Sequence, residues 1–434
     1  MIRRFAVLLA LGPAGLTPQL WAQSRSVTLA DAIRLSERVQ PSVVQAAGDL
    51  ETAAAERRSA WGAYLPSVTA SSSANSFFSE GPARIDPITG QLLSGNTSNR
   101  SLSTSLSASV DLFTGFRRGA QSRAARASQS AAEASLVDAR FRQALTTTNQ
   151  FLDALAGRQL VGVRQTSVRR AEEQLKTSIA KLRAGSATRS DSLRSLVTLG
   201  NARLELIRAE TDLATAEAGL ARLIGETGRV RAEDDSAFYH VLTMPDTAAL
   251  RTEAEARSPR IQSANAASDA AQASLKASRS GYWPSLSLSA NTGWNASRSS
   301  DYDVFNDRQL SLGLRWNLFD GFERELAIAQ RSAAAQVADA TAADERRAVA
   351  AELTARLAEL QAAGTQIEIT LTSVVAATED LRVQQERYRL GASTIVDVLT
   401  SQEALNQAEV DVVVARFDYL RAKASLEALI GRTL

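Results

Sequence analysis

The sequence predicts an α+β membrane protein: a duplicated unit that gives each protomer four transmembrane β-strands continued by long α-helices. Three observations predict it. The chain is written twice, each copy holds a pair of alternating apolar–polar segments, and each copy follows them with a long proline-free run. The segment Leu112-Phe113-Thr114-Gly115-Phe116 returns as Leu318-Phe319-Asp320-Gly321-Phe322, an offset of 206 (318 − 112). Gly185 and Gly391, Asp191 and Asp397, and Leu223-Ile224-Gly225 and Leu429-Ile430-Gly431 repeat that offset. Upstream, Pro41 returns as Pro259 and Tyr64-Leu65-Pro66 as Tyr282-Trp283-Pro284, both 218 positions on, so the first copy carries 12 extra residues. A fixed period of this kind sets the architecture before any element is assigned.

The chain order begins with an expected export signal over residues 1–22. Arg3 and Arg4 precede a short apolar run, Phe5 to Leu11, and a small-residue exit at Trp21-Ala22. That run is too short to span a membrane. Removing both arginines takes the formal charge from +2 to about 0. The chain has no cysteine, which excludes disulfides, thiolate metal sites and a cysteine-linked lipid anchor. After the signal, no apolar stretch approaches the ~20 residues of a membrane-spanning helix. The 49 basic and 47 acidic residues are interspersed, with no basic stripe for nucleic acid.

The first repeat is expected over 23–225: a helix, a β-hairpin at 65–113, and a long helical hairpin at 116–224. An equatorial segment, 226–247, follows. The second repeat, 248–434, holds a helix, a β-hairpin at 283–319 and a helical hairpin at 322–430. In the hairpins, Leu102, Thr104, Leu106, Ala108, Val110 and Leu112 alternate with serines and Asp111. Leu286, Leu288, Ala290, Thr292 and Trp294 do the same, as do Leu310, Leu312, Leu314, Trp316 and Leu318; Val68, Ala70 and Ala74 do so more weakly. A period of two over this length means strands with one apolar and one polar face.

From Ile88 to Met244, and after Pro284, there is no proline. Proline costs a helix interior about 3 kcal/mol, so these are the permitted long helices. In the second copy Leu353, Leu357, Leu360, Gly364, Ile367, Leu371, Val374, Thr378, Leu381, Gln385 and Tyr388 step 4, 3, 4, 3. That is a coiled-coil seam. The first copy keeps it less well, with Arg158 and Glu172 on the seam. Both long helices stop at a glycine turn, Arg183-Ala184-Gly185-Ser186 and Arg389-Leu390-Gly391-Ala392-Ser393, and a second helix returns from each.

Aromatics gather at both strand ends. Tyr64, Phe113, Phe116, Tyr282, Trp283, Phe319 and Phe322 lie at the helix side, and Phe77, Phe78, Trp294, Tyr302 and Phe305 at the tip side. Two girdles around an apolar band mark a transmembrane barrel, the alternative being a soluble sandwich with core aromatics. Four strands cannot close a barrel, and an open edge cannot face lipid. Two copies would give about 8 strands and three about 12, and only the larger leaves an obvious lumen.

This arrangement resembles the TolC family of outer-membrane efflux and secretion channels across essentially the whole mature chain. Val27-Thr28-Leu29-Ala30-Asp31-Ala32-Ile33 and Gln40-Pro41-Ser42 are similar to the family's opening. Tyr388-Arg389-Leu390-Gly391-Ala392-Ser393-Thr394-Ile395-Val396-Asp397-Val398-Leu399 is similar to its second hairpin tip. The resemblance implies a homotrimer with a 12-stranded barrel in the outer membrane of a Gram-negative bacterium, extended into the periplasm by a helical barrel. It implies no chemistry and no cofactor. The implied partners are outer-membrane lipid, a periplasmic adaptor (membrane fusion) protein, and an inner-membrane RND, ABC or MFS transporter.

The resemblance also implies a periplasmic gate. One family aspartate falls on Asp397, and a second falls on Thr400, where this chain departs. Tyr388 and Asp191 match a tip lock whose arginine position holds Ser393. Arg183, Gly185, Ser186, Arg389, Gly391, Ala392 and Ser393 are the expected adaptor-docking tips. A helix-capping role is the alternative for both aspartates, since each sits in the first turn of a returning helix. The expected function is the exit duct of a tripartite efflux pump. The alternatives are the duct of a type I secretion system, or a periplasmic or surface coiled-coil structural protein. An enzyme is disfavoured: there is one histidine, His240, and no metal cluster or nucleophile motif.

Overall fold

The computed structural model of the 434-residue chain describes residues 25–93, 95, 97–235, 247–298 and 303–433. The expected signal, His240, Tyr302 and residues 236–246 of the equatorial segment lie outside the described residues. The order is β1 (Ser26–Val27), α1 (Leu29–Val39), α2 (Pro41–Gly62), β2 (Ser67–Ser79), β3 (Arg84–Ile85), β4 (Leu92–Leu93), β5 (Thr97–Phe113), α3 (Arg117–Arg183) and α4 (Arg189–Ile224). Then come β6 (Arg231–Ala232), α5 (Thr247–Arg257), α6 (Pro259–Ser278), a 3-10 turn (Arg279–Tyr282), β7 (Ser285–Arg298), β8 (Asp303–Arg315), α7 (Glu323–Arg389) and α8 (Ile395–Ile430). The copies match in length: α3 and α7 have 67 residues each, and α4 and α8 have 36 each. Pro41 and Pro259 open α2 and α6 at the first helical position, where the missing N–H costs nothing. The 12-residue insertion accommodates the small β3–β4 hairpin at the tip of the first strand pair.

The chain folds as two compact units that cut across the repeats. One comprises the described residues of Ser36–Thr148, Tyr239–Thr372 and Ala415–Leu434. Its centre is a single antiparallel sheet of order β2-β5-β7-β8. Register places Val68, Ala108, Ala290 and Leu310 in one row, and Ser67, Ser109, Ser289 and Ser311 in the row on the opposite face. Serine hydroxyls pair across β2 and β5: Ser67–Ser109, Ser71–Ser105 and Ser73–Ser103 are each 2.8 Å apart. The apolar face stays open to the surroundings, with Leu310, Leu312 and Leu314 at 73%, 64% and 72% exposure. Among the described residues no second sheet packs on it, as the sandwich alternative would require. Both edge strands, β2 and β8, pair on one side only.

Register corrects the tip-side girdle. Phe305 shares its row with Ser73, Ser103 and Asn295, and Phe77 sits opposite Asn99. Both therefore lie on the polar face, which leaves Phe78 and Trp294 on the apolar one. Aromatic clustering in the sequence ignores parity, whereas the pleat does not.

The second unit comprises the described residues of Met1–Leu35, Asn149–Phe238 and Ser373–Val414. Here β1 runs parallel to β6, pairing Val27 with Ala232. The seam residue Arg158 donates to the carbonyl of Ala232 at 2.6 Å and to Glu217 at 3.3 Å. Glu217, nearly buried, also meets Arg229 at 2.7 Å. Glu172 pairs with Arg203 at 2.8 Å. The two charges that interrupt the seam are thus both paired.

The seam of α7 also needs correction. Leu360, Ile367, Val374, Leu381 and Tyr388 point inward as expected, but Leu371, Thr378 and Gln385 are exposed. Their preceding neighbours Thr370, Ala377 and Gln384 are buried or half-buried instead. At Thr370 and Ala377 the smaller residue of the pair faces inward and lets a neighbouring helix approach closely, so three of the eleven seam positions, Leu371, Thr378 and Gln385, fall one residue off the stripe.

Candidate functional site

Both helical hairpins turn by the same device. The N–H of Gly185 reaches the carbonyl of Leu182 and that of Ser186 the carbonyl of Lys181, at 3.0 and 2.9 Å. Gly391 and Ala392 do the same with Tyr388 and Arg387, at 3.2 and 2.8 Å. These are Schellman ends, and they require a left-handed residue: φ is 73° at Gly185 and 80° at Gly391. The returning helices begin with capping boxes. Thr188 N donates to Asp191 Oδ2 at 2.8 Å, and Asp191 N donates to Thr188 Oγ1 at 3.3 Å. Thr394 and Asp397 repeat this at 2.8 and 3.3 Å.

Asp397 also accepts from the hydroxyls of Thr394 at 2.8 Å and Ser393 at 3.0 Å. The Thr394 N–H, then the Thr394 and Ser393 hydroxyls, hold its carboxyl below the usual aspartate range. Ser393 thus serves Asp397, not Tyr388. Thr400 is exposed, on a groove of about 690 Å³ with Leu193, Val197, Val396 and Leu399. Arg389 pairs with Glu386 at 2.8 Å, and Arg387 donates to the carbonyl of Ala392 at 3.3 Å. Arg183, Gly185 and Ser186 are exposed at the first turn, as are Gly391 and Ala392 at the second.

Tyr388 is buried in an apolar cluster with Leu381, Ile395, Val398 and Leu405. Burial pushes its phenol upward, and the nearby Asp191 carboxylate adds to that. Its hydroxyl lies beside Ser178 but outside ordinary hydrogen-bond geometry. Its partner is a residue that sequence reasoning did not single out. Lys181 of α3 places its ammonium 4.1 Å from the ring centroid and donates to the carbonyls of Tyr388 and, at 3.4 Å, Arg389.

At the helix-side strand ends the two copies again coincide. Phe113, Phe116 and Trp283 pack edge to face, with centroids 5.4 and 5.6 Å apart, and Phe319 meets Phe322 at 5.5 Å. Arg118 lies 5.0 Å over the ring of Tyr64 and donates to the carbonyls of Ala63 and Leu112. Arg324 lies 4.8 Å over Tyr282 and donates to those of Gly281, Asn317 and Leu318. These arginines were also not anticipated, although they stand at the 206 offset (324 − 118) and could have been found by it.

Among the described residues no helix is long and apolar enough to cross a membrane, and no group of histidine, aspartate and glutamate suits a metal ion. An amphipathic sheet with an exposed apolar face, carried on long helical hairpins, defines the protomer of an outer-membrane channel. A model of the outer membrane efflux protein family matches residues 33–226 and 250–432. The chain belongs to that family, whose members are passive outer-membrane conduits and not enzymes.

The chain is 27% identical over 343 residues to the pyoverdine export outer membrane protein OpmQ of Pseudomonas aeruginosa, covering 78% of this chain and 71% of that one. It is 23% identical to the alkaline protease secretion protein AprF of the same organism, covering 69% and 64%. The fold matches the crystal structure of the outer membrane protein VceC from Vibrio cholerae with a TM-score of 0.75 at 19% identity, over 93% of this chain and 96% of that one.

Proposed function

We propose that three copies of this chain close one 12-stranded barrel in the outer membrane and continue it as a helical tube, forming an exit duct for efflux or type I secretion. The observation that carries this is the single sheet with two free edges and an open apolar face. A free strand edge leaves backbone groups unpaired, which hydrocarbon does not tolerate. Pairing β8 of one protomer with β2 of the next satisfies both edges at once and turns every apolar row toward lipid. The serine rows then line the lumen. A coiled-coil structural role would leave that apolar face without a purpose.

The duct does no work of its own, so the energy comes from an inner-membrane transporter reached through a periplasmic adaptor. OpmQ bears a name for export of a small molecule and AprF one for secretion of a protein, so either cargo suits this architecture. The glycine turns at Gly185 and Gly391 present backbone and Arg183 or Arg389 to the adaptor. Asp397, exposed and readily ionised, supplies one acidic ring at the tips; Thr400 adds no second one. Reconstitution tests the proposal. Purified protein should conduct ions in a planar bilayer, and Asp397→Asn should lower its preference for cations. Unchanged selectivity in that variant removes Asp397 from the gate.

A further inference from the structure

We propose that the apolar face of the sheet carries a site for a phosphate-bearing lipid of the outer leaflet, with Arg308 holding the phosphate and a depression beside it holding an acyl chain. The proposal rests on the duct reading above, which turns this face toward lipid. Register decides which charges share the face. The row of Ala70, Leu106 and Thr292 ends on Arg308 in β8, and Ser76 shares its row with Arg100 and Arg298. The acidic residues of the four strands are Asp111, Asp303 and Asp307, opposite Ser287, Ser297 and Gly293, so all three lie on the serine face. The lipid-facing side of these strands thus carries arginine and no carboxylate. Arg100 and Arg308 are both exposed, and neither has a hydrogen-bond or ion-pair partner among the described residues. A cation turned toward hydrocarbon is costly, so it calls for an anion from its surroundings.

Position gives the site a direction. On β8 the outward residues from the helix side are Leu314, Leu312 and Leu310, and the apolar run stops at Arg308. Trp294 lies one row nearer the tip, opposite Asn306, the level at which an interfacial tryptophan belongs. One row nearer the helices, Ala108 and Ala290 face each other. Their small side chains floor a depression of about 710 Å³, walled by Leu106, Leu310 and Trp294 and bordered by Arg308. The charge is therefore on the tip side and the apolar floor on the helix side. A lipid of the outer leaflet, headgroup toward the tip and chains toward the bilayer centre, has that polarity; one of the inner leaflet has the reverse. A guanidinium meets phosphate with two parallel N–H donors. Pairing β8 edge to edge with the next protomer's β2 leaves this face uncovered.

The test titrates the purified protein, in a neutral detergent, with phosphatidic acid or with phosphatidylcholine of identical chains, and reads bound lipid by native mass spectrometry. Wild type should bind phosphatidic acid about tenfold more tightly, the worth of one charge-assisted contact. Arg308→Gln should lose most of that preference; no described group loses a partner in it. Ala290→Leu fills the floor and should weaken both lipids about equally. Arg315→Gln, on the serine face, should match wild type. Excess inorganic phosphate should leave phosphatidic acid bound. An Arg308→Gln variant with the wild-type preference, or an Ala290→Leu variant with wild-type binding, overturns the proposal. Displacement by inorganic phosphate overturns the lipid assignment. The same wild-type sample is recorded in a planar bilayer. If it carries no current the duct reading falls, while the lipid preference still decides the site; if it conducts and Arg308→Gln binds as wild type, this proposal alone falls.

Discussion

Strain and charge mark the same residues in both copies. Phe116 and Phe322 are the non-glycine residues with positive φ among those described, at 65° and 70°, each preceded by a left-handed glycine, Gly115 or Gly321. Two successive left-handed residues reverse the chain within one turn, from strand into helix. Such backbone costs about 1–2 kcal/mol per residue and persists only where its surroundings fix it. Arg118 and Arg324 do the fixing, by joining the carbonyls of the preceding strand end (Leu112; Asn317 and Leu318) to a carbonyl from the segment before the strand pair (Ala63; Gly281). Arg324→Ala should therefore destabilise the detergent-solubilised protein by about 1.5–3 kcal/mol in urea unfolding, the range for hydrogen bonds to a charged group.

Asp397 makes a pH prediction. Its folded pKa is depressed, so its capping contribution is fully present above the unfolded value and is lost as pH falls through the folded one. Cation preference should hold from neutral pH down through the ordinary aspartate range near ~3.9 and decline only below it. A decline centred near pH 6 in bilayer recordings would contradict this.

The elements themselves were largely legible. Alternation found the strands because one face of β5 and of β7 is mostly serine, asparagine or glycine, and proline-free composition found the helices. What escaped was position within an element. In α7 the eye selects Leu371 over Thr370, yet the helix buries Thr370, because neighbouring long helices pack closest on small residues. Lys181 was invisible for another reason: its partners are backbone carbonyls 207 and 208 positions away, which no residue type announces. The corrected seam makes its own prediction. Ala363→Leu should cost about 1–3 kcal/mol through overpacking, while the exposed Ala362→Leu should stay within about 0.5 kcal/mol of wild type in the same unfolding assay.

For the whole molecule, duplication explains why one chain carries an even, self-similar wall segment. Each copy contributes a strand hairpin and a helical hairpin, and the sheet joins them through β5 and β7. The family relationship and the exposed apolar rows then place that segment in the outer membrane. The duplication could not give the number of copies needed to close the wall; the free edges of β2 and β8 require partners, and the lumen argues for three. The most direct measurement is the mass of the protein–detergent complex by light scattering, with detergent subtracted, on the same sample that is recorded in bilayers. A protein mass of three chains in a conducting sample is the predicted result. A monomeric protein mass, or a trimer that carries no current, would contradict it.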